Sequence, residues 1–271
     1  PLIKYIIPLW GAEVTNSWLS RMDQIVIFAL TDAATAGVYG VVMMVGNAIR
    51  TIRRAFDPIV TAIFSGVEAQ GSQKRLQWNF SHATSLVIGT QMPVFAFILV
   101  FTPWIIPLIG DSFTEAIQPI NVICGFWLIN GALGLNGLIL NGYGRSDLVL
   151  LNVWITLIVE AILLYTLIPA YGLMGAAAAV GLSYTVQNII QAIQARGLTG
   201  AWNYRMDVVV TLAVSGAAFT AMGLFWFFLG DALGDTWGRL VSFKVFLAVG
   251  VPLAWLTYQS GWFDPPESAS D

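Results

Sequence analysis

The chain has 271 residues, of which 57% are hydrophobic and 10% are charged, whereas soluble domains have about 25% charged residues. This composition excludes an ordinary soluble domain and indicates a membrane protein, and the eleven Trp and eight Tyr suit the two interfaces of a bilayer. The net charge of −3 neither favours nor excludes an anionic ligand, and a single Cys forbids an internal disulfide bond.

In chain order, hydropathy predicts eight spanning helices joined by short connections. They cover residues 2–30, 36–69, 76–106, 114–141, 147–168, 172–196, 206–229 and 239–259. Each holds about the 20 residues that a hydrocarbon core requires. We therefore predict an all-α fold, a polytopic membrane bundle of about eight transmembrane helices. Residues 1–200 hold the first six of these helices, which the family resemblance described below implies to be a six-helix transporter lobe. Residues 201–263 form a peripheral terminal helix pair, and residues 264–271 a disordered polar tail.

The second predicted helix carries an unusual charged face. Arg50, Arg53, Arg54 and Asp57 are spaced to lie on one side of it, and Asn47, Thr61, Ser65 and Glu68 extend the same face. The stretch is about 50 Å long, so its centre cannot easily leave the bilayer. Three arginines facing lipid would cost about 8–10 kcal/mol. Either the face borders a water-filled cavity, or the arginines snorkel to the interface. Pro58 predicts a kink beside this patch.

Polar stripes on other helices offer two further groups of candidate residues. Asn130 in the fourth helix and Gln187 in the sixth belong to amide stripes that serve either helix–helix hydrogen bonding or a polar cavity. Glu13, Asp23 and Glu160 are carboxylates inside helices, and buried carboxylates need a partner or a proton. They either pair with the arginines of the second helix or take up a coupling proton or cation.

Basic residues alternate between the predicted connections, which indicates the orientation of the chain. Lys74 and Arg75, Arg145, and Arg196 with Arg205 lie in alternate connections, whereas the others carry acidic residues or no charge. By the positive-inside rule the basic connections face the cytoplasm. Eight crossings then place both termini in the cytoplasm.

Several short motifs occur in an order that resembles a known family. They are AGVY at 36–39 after Asp23, the Arg- and Pro-bearing second helix, IGDSF at 109–113, NGYGR at 141–145 and IPAYGLMGAA at 168–177. Over residues 1–200 this order resembles the carboxyl-terminal half of the polysaccharide and oligosaccharide-lipid flippases. Their superfamily also contains multidrug and toxin extrusion transporters and lipid II flippases.

The resemblance implies a transporter of fourteen helices in the bacterial inner (cytoplasmic) membrane, with two lobes that rock around a central cavity. The amino-terminal lobe is then missing from this chain, which starts with Pro1. The implied substrate is a polyprenyl-pyrophosphate-linked oligosaccharide. We expect Arg50, Arg53 and Arg54, with Asp57 and Asn47, to bind its charged headgroup, and Asn130 and Gln187 to bind its sugars.

Three other functions compete with this interpretation. A cation-coupled multidrug antiporter of the same superfamily would favour an acidic or apolar cavity, whereas a lipid II flippase would share the basic one. A membrane glycosyltransferase or ligase would need a catalytic loop, and no connection carries paired carboxylates, a metal cluster or a Ser/His/Asp set. We therefore predict no enzyme activity, cofactor or metal. The expected partners are lipid-linked oligosaccharide, membrane lipid and the missing lobe, and no nucleic acid.

Overall fold

The structure is a computed structural model that describes residues 2–58, 60–61, 73–133, 135–200, 202 and 204–259. The α-helices of this part are α1 (Leu2–Leu30), α2 (Ala33–Ala55), α3 (Gln73–Ile109), α4 (Ile117–Ala132), α5 (Asn136–Gly142), α6 (Ser146–Thr199), α7 (Met206–Phe225) and α8 (Asp231–Gln259). A 3₁₀ helix at Asp111–Ala116 leads into α4, and a π-helical turn at Trp226–Gly230 joins α7 to α8. The predicted tail, together with Ser65 and Glu68, lies outside the described residues.

Helix α2 is shorter than the single helix predicted for residues 36–69. It starts one residue after Asp32, whose carboxylate accepts a hydrogen bond from the Thr35 N–H at 2.8 Å and caps the first turn. It ends at Ala55, where the Phe56 N–H bonds to the Arg53 carbonyl at 3.1 Å, and helical backbone resumes at residues 57–58. The interruption therefore lies at the charged patch, just before Pro58, which has no N–H to continue the hydrogen-bond ladder.

The fourth predicted helix, residues 114–141, is also interrupted. Helices α4 and α5 are bent by 45° relative to each other, and Leu133 and Leu135 lie at the break. The Leu133 carbonyl accepts hydrogen bonds from the Asn136 amide at 2.6 Å and from the Tyr204 hydroxyl. These side chains satisfy a backbone group that the break would otherwise leave unpaired in the bilayer.

Helix α6 turns back on itself at Gly172, where the fifth and sixth predicted helices meet. Gly172 has φ +56° and ψ −133°, a conformation that side chains with a Cβ rarely adopt. Asn152 and Gln194 exchange two hydrogen bonds at 2.6 and 3.0 Å, and Ser183 donates one to Glu160 at 2.9 Å. Both pairs are centred close to residue 172, so the two arms of α6, residues 146–171 and 172–199, form an antiparallel hairpin.

The buried side chains form one main core and smaller ones beside it. The main core joins α1, α2, α4 and α6 through residues such as Leu19, Ile49, Ile123 and Val180. A separate cluster of Ala96, Ala218 and Phe246 holds α7 and α8 against α3. The terminal helix pair thus packs on α3.

Helices long and apolar enough to cross a membrane confirm the predicted all-α membrane bundle. Within the described residues, four segments qualify by length and composition, or five if the bent α4–α5 region is one span. They are Leu76–Ile109, Ser146–Thr199, Met206–Leu229 and Trp237–Leu256. Ser146–Thr199 counts as one segment in this set although it folds back at Gly172. Helices α1 and α2 are not in the set because their polar stripes lower their mean hydropathy.

Candidate functional site

A polar cavity of about 530 Å³ lies between α1, α2, α3, α4, α5 and both arms of α6. Its charged lining consists of Glu13, Arg50, Arg53, Arg54 and Asp57, which leave one net positive charge. Its uncharged polar lining is Asn16, Ser17, Ser20, Gln91, Asn130, Asn141, Tyr184, Gln187, Asn188 and Gln191. The structure thus brings together seven of the predicted residues: the three arginines, Asp57, Glu13, Asn130 and Gln187.

Arg50 packs against a pair of aromatic rings at the cavity wall, Trp127 and Tyr184, which contact each other edge to face with their centroids 5.1 Å apart. Its guanidinium carbon lies 4.8 Å from the ring centroid of Trp127 and 4.7 Å from that of Tyr184. Both distances are typical of cation–π contacts. Its Nη2 also donates a hydrogen bond to the Tyr184 hydroxyl at 3.0 Å. The rings orient the guanidinium plane and leave further N–H donors for a ligand, since a guanidinium has five.

The remaining charges of α2 follow Arg50 by one and two helical turns. Arg54 is exposed, and Arg53 and Asp57 are half-buried. Arg53 Nε and Asp57 Oδ1 are buried atoms without a hydrogen-bond partner in the described part of the chain. The one salt bridge among the described residues joins Arg145 to Asp147 at 2.9 Å, away from the cavity. The arginines of α2 are therefore not neutralised by a carboxylate in direct contact.

The amide groups of the cavity are organised by the hairpin of α6. Asn188 Nδ2 donates to Asn130 Oδ1 at 2.7 Å and to the Tyr184 carbonyl at 3.0 Å. Asn130 Nδ2 donates to the Phe126 carbonyl at 2.8 Å. Gln187 and Gln191 follow Tyr184 at intervals of three and four residues, so they share its helical face. The second arm of α6 therefore presents phenol and amide groups to the cavity opposite α2.

Gln91 was not among the predicted site residues. It is fully buried, and its Nε2 donates to the Ile49 carbonyl of α2 at 3.0 Å. Gly131 leaves space for it, because a Cβ there would lie 2.0 Å from Gln91 Oε1. The sequence feature that could have identified Gln91 is that it is a lone amide in an apolar run of α3. Trp127, Asn188 and the role of the Tyr184 ring were also missed, since eleven Trp and eight Tyr give no reason to select one of each.

The three candidate carboxylates occupy different places. Glu13 is exposed and lines the cavity, whereas Asp23 and Glu160 are 2% and 1% exposed and do not line it. Asp23 accepts hydrogen bonds from the Tyr39 hydroxyl at 3.0 Å and the Gln24 N–H at 2.8 Å. Glu160 Oε2 accepts one from Ser183, while Oε1 has no partner among the described residues. Neither buried carboxylate forms an ion pair with an arginine of α2.

Asn47 is separate from the other predicted residues. It lies one helical turn before Arg50, its side chain is exposed, and it is not part of the cavity wall. Across the described residues, no group of three or more His, Cys, Asp or Glu side chains is arranged to hold a metal ion. The cavity lining offers hydrogen-bond donors and acceptors and one net positive charge.

Solved structures resemble this arrangement of helices. An outward-facing multidrug resistance MATE family transporter of the MOP superfamily is 17% identical, with a TM-score of 0.59. A MATE structure in complex with MaL6 is 16% identical, with a TM-score of 0.59. A MOP superfamily transporter from Pyrococcus furiosus, whose binding pocket has a reverse polarity that suggests a different function, is 14% identical, with a TM-score of 0.54. The fold is that of MOP superfamily transporters.

The similarity to MOP transporters is one of fold alone, because all three identities are below 20%. Each alignment covers 93% of this chain and 64% of the solved chain, so the chain spans less than two thirds of their length. Neither a protein-family model nor a curated protein sequence matches it. The fold agrees with the one that the resemblance of the sequence motifs implies.

Proposed function

We propose that this chain is the carboxyl-terminal lobe, with its terminal helix pair, of a flippase for a polyprenyl-pyrophosphate-linked oligosaccharide. The flippase would act in the bacterial cytoplasmic membrane with both termini of this chain in the cytoplasm. The observation that carries the proposal is the Arg50 guanidinium, which packs against the paired rings of Trp127 and Tyr184 at the wall of a polar cavity.

The charged end of the cavity suits a pyrophosphate. An oriented guanidinium makes paired hydrogen bonds to phosphate oxygens, and such charge-assisted bonds are about twice as strong as neutral ones. Arg53 and Arg54 add charge, and no carboxylate among the described residues contacts either of them, so both are available to an anion. A drug cation would meet a net positive wall here, which favours the flippase over a multidrug antiporter.

The amide end of the cavity suits sugar hydroxyl groups. Asn130, Gln187, Asn188 and Gln191 each combine donors and an acceptor, as hydroxyl recognition requires. The cavity volume of about 530 Å³ falls within the ~300–1,000 Å³ that is typical of ligand pockets.

A second lobe would complete the transport path. Arg54 and Glu13 are exposed although they line the cavity, so one side of it is open in this chain alone. Leaving arginines against lipid would cost about 2.5–3.5 kcal/mol each at the bilayer centre. Alternating access also needs two bodies that rock against each other. We therefore assign the open side to the missing amino-terminal lobe.

Asp23 and Glu160 are proposed as coupling groups that bind a proton or cation. Both are more than nine-tenths buried beside hydroxyl donors and outside the cavity, and Glu160 retains one oxygen without a partner in the described residues. Glu160→Gln keeps an acceptor for Ser183 but removes the charge. We expect transport by this variant to lose its response to an imposed proton or sodium gradient, whereas the exposed Glu115→Gln should keep it.

Reconstitution tests the substrate. Vesicles containing the full-length transporter should flip a fluorescent lipid-linked oligosaccharide, and Arg50→Ala should reduce the rate by at least tenfold without loss of membrane insertion. The matched control is Arg21→Ala, an exposed arginine of α1 outside the cavity. Transport of lipid II alone would favour the lipid II flippase. Efflux of a cationic dye without flipping, or full activity of Arg50→Ala, would reject the proposal.

A further inference from the structure

A second cavity, separate from the polar one, lies between α3, α7 and α8. It is an apolar cleft of about 410 Å³. Gly89, Met92 and Pro93 of α3 line it, whereas Gln91 lines the polar cavity, so α3 separates the two spaces. The cleft is therefore distinct from the proposed substrate site.

The cleft exists because small residues line it. A Cβ at Gly89 would meet no atom within 4 Å, and Gly250 and Ala218 lie against each other where α8 crosses α7. Ser85 also lines the cleft and is 4% exposed, yet its hydroxyl has no hydrogen-bond partner among the described residues. A buried hydroxyl without a hydrogen-bond partner costs about 1–3 kcal/mol. The cleft therefore favours a ligand that places a hydrogen-bonding atom next to the Ser85 hydroxyl.

The cleft is polar at one end and apolar at the other. The Ser81 hydroxyl donates a hydrogen bond to Asp207 at the start of α7, and the Phe95 ring contacts the tilted Phe219 ring further along, so α3 and α7 run parallel. His82 and Tyr258 therefore lie at the end where α3 begins, whereas Met92 and Phe246 lie at the far end. His82 and Pro93 are about 16 Å apart along α3, which is about half of a ~30 Å hydrocarbon core. The cleft thus has the length of one leaflet.

Positively charged residues lie between the polar end of the cleft and the membrane surface. Lys74 is exposed and precedes His82 by two helical turns on the same face, with Trp78 stacked on His82 between them at 5.1 Å. The backbone N–H of Arg205 bonds to the Ser81 hydroxyl at 2.9 Å, which places a second cation at this end. The nearby Asp207 carboxylate is buried and accepts hydrogen bonds from Ser81 and from the Val208 N–H.

We propose that the cleft binds one anionic phospholipid of the leaflet on the Lys74 side, which the basic connections predict to be the cytoplasmic one. One acyl chain fills the cleft from Ser85 to Pro93. The glycerol ester region lies level with the Ser85 hydroxyl, which donates to an ester carbonyl. The phosphate lies toward Lys74 and Arg205. This site does not depend on the identity of the transported substrate.

Native mass spectrometry of the purified protein tests this site with defined lipids. Phosphatidylglycerol should be retained at least fivefold better than phosphatidylcholine of the same acyl chains. Gly89→Leu, which fills the cleft, should reduce that retention at least fivefold. The matched control is Gly216→Leu, an exposed glycine of α7 that does not line the cleft and whose Cβ also meets no atom within 4 Å.

Lys74→Glu provides a second test that does not depend on core packing, because the side chain is exposed. It should abolish the preference for phosphatidylglycerol while some phosphatidylcholine remains bound. The proposal is overturned if Gly89→Leu and Gly216→Leu retain equal phosphatidylglycerol, if the unmodified protein shows no headgroup preference, or if added polyprenyl phosphate displaces the phospholipid from the cleft.

Discussion

The Arg50 guanidinium donates a hydrogen bond to the Tyr184 hydroxyl at 3.0 Å and lies 4.7 Å from the centroid of the Tyr184 ring. The two residues are 134 positions apart in the sequence, on α2 and on the second arm of α6. This contact joins the helix that carries the cavity's arginines to the helix arm that carries Gln187, Asn188 and Gln191, and it orients the cation that we propose to bind pyrophosphate.

Tyr184→Phe separates the two parts of this contact. The variant keeps the ring for the cation–π interaction but removes the oxygen that accepts the hydrogen bond, which is worth about 1.5–3 kcal/mol for a charged group. We expect the substrate concentration for half-maximal flipping to rise by at least about tenfold, since 1.4 kcal/mol corresponds to a factor of ten. Tyr165→Phe, an exposed tyrosine of the first arm of α6, is the control. Equal values for both variants would contradict an orienting role for Tyr184.

The hairpin of α6 depends on one glycine. Gly172 has φ +56° and ψ −133°, so Gly172→Ala should destabilise the protein by about 1–3 kcal/mol. Gly37→Ala, at an exposed helical position where a Cβ meets no atom within 4 Å, should be neutral or slightly stabilising. Thermal unfolding in one detergent measures both. A melting temperature for Gly172→Ala that matches the Gly37→Ala value would show that the turn tolerates a side chain.

Gln91 and Gly131 form a pair whose coupling is measurable. Gly131→Ala should destabilise the protein by about 1–3 kcal/mol, because the new Cβ would lie 2.0 Å from Gln91 Oε1. Adding Gln91→Ala removes the clash, so the double variant should be less destabilised than the sum of the two single variants. Gly125→Ala of the same helix is the control, since its Cβ would lie 3.9 Å from Phe95. If the two substitutions have additive effects on the free energy of unfolding, the proposed packing of Gln91 against Gly131 is rejected.

Cysteine labelling tests the predicted orientation. In a Cys124→Ser background, a cysteine at Tyr143 should face the cytoplasm, and cysteines at Ala33 and Ser112 should face the outside. All three positions are exposed, whereas Ser146 in the same connection as Tyr143 is 1% exposed and would not react. An impermeant thiol reagent applied to intact cells should label Ala33→Cys and Ser112→Cys only. Labelling of Tyr143→Cys alone would reverse the topology.

Local patterns predicted most helices because each helix must satisfy its own backbone in a bilayer. The bounds of α1 agree with the prediction for residues 2–30. The errors are the two interruptions, at Phe56 and between Leu133 and Leu135. Both occur where backbone carbonyls find partners outside the regular i to i−4 ladder. At Leu133 one partner is the distant Tyr204, which no local pattern indicates.

The sequence by itself determined that the chain is an all-α membrane bundle and that Arg50, Arg53, Arg54 and Asp57 share one helical face. Composition and the 3.6-residue period are enough for both conclusions. Only the tertiary structure decided that this face borders a cavity, that Asn47 does not line it, and that Asp23 and Glu160 lie outside it. The period of a helix shows which residues lie together on that helix. It does not show which neighbour the face meets, because Trp127, Tyr184 and Gln91 approach α2 from helices distant in the chain.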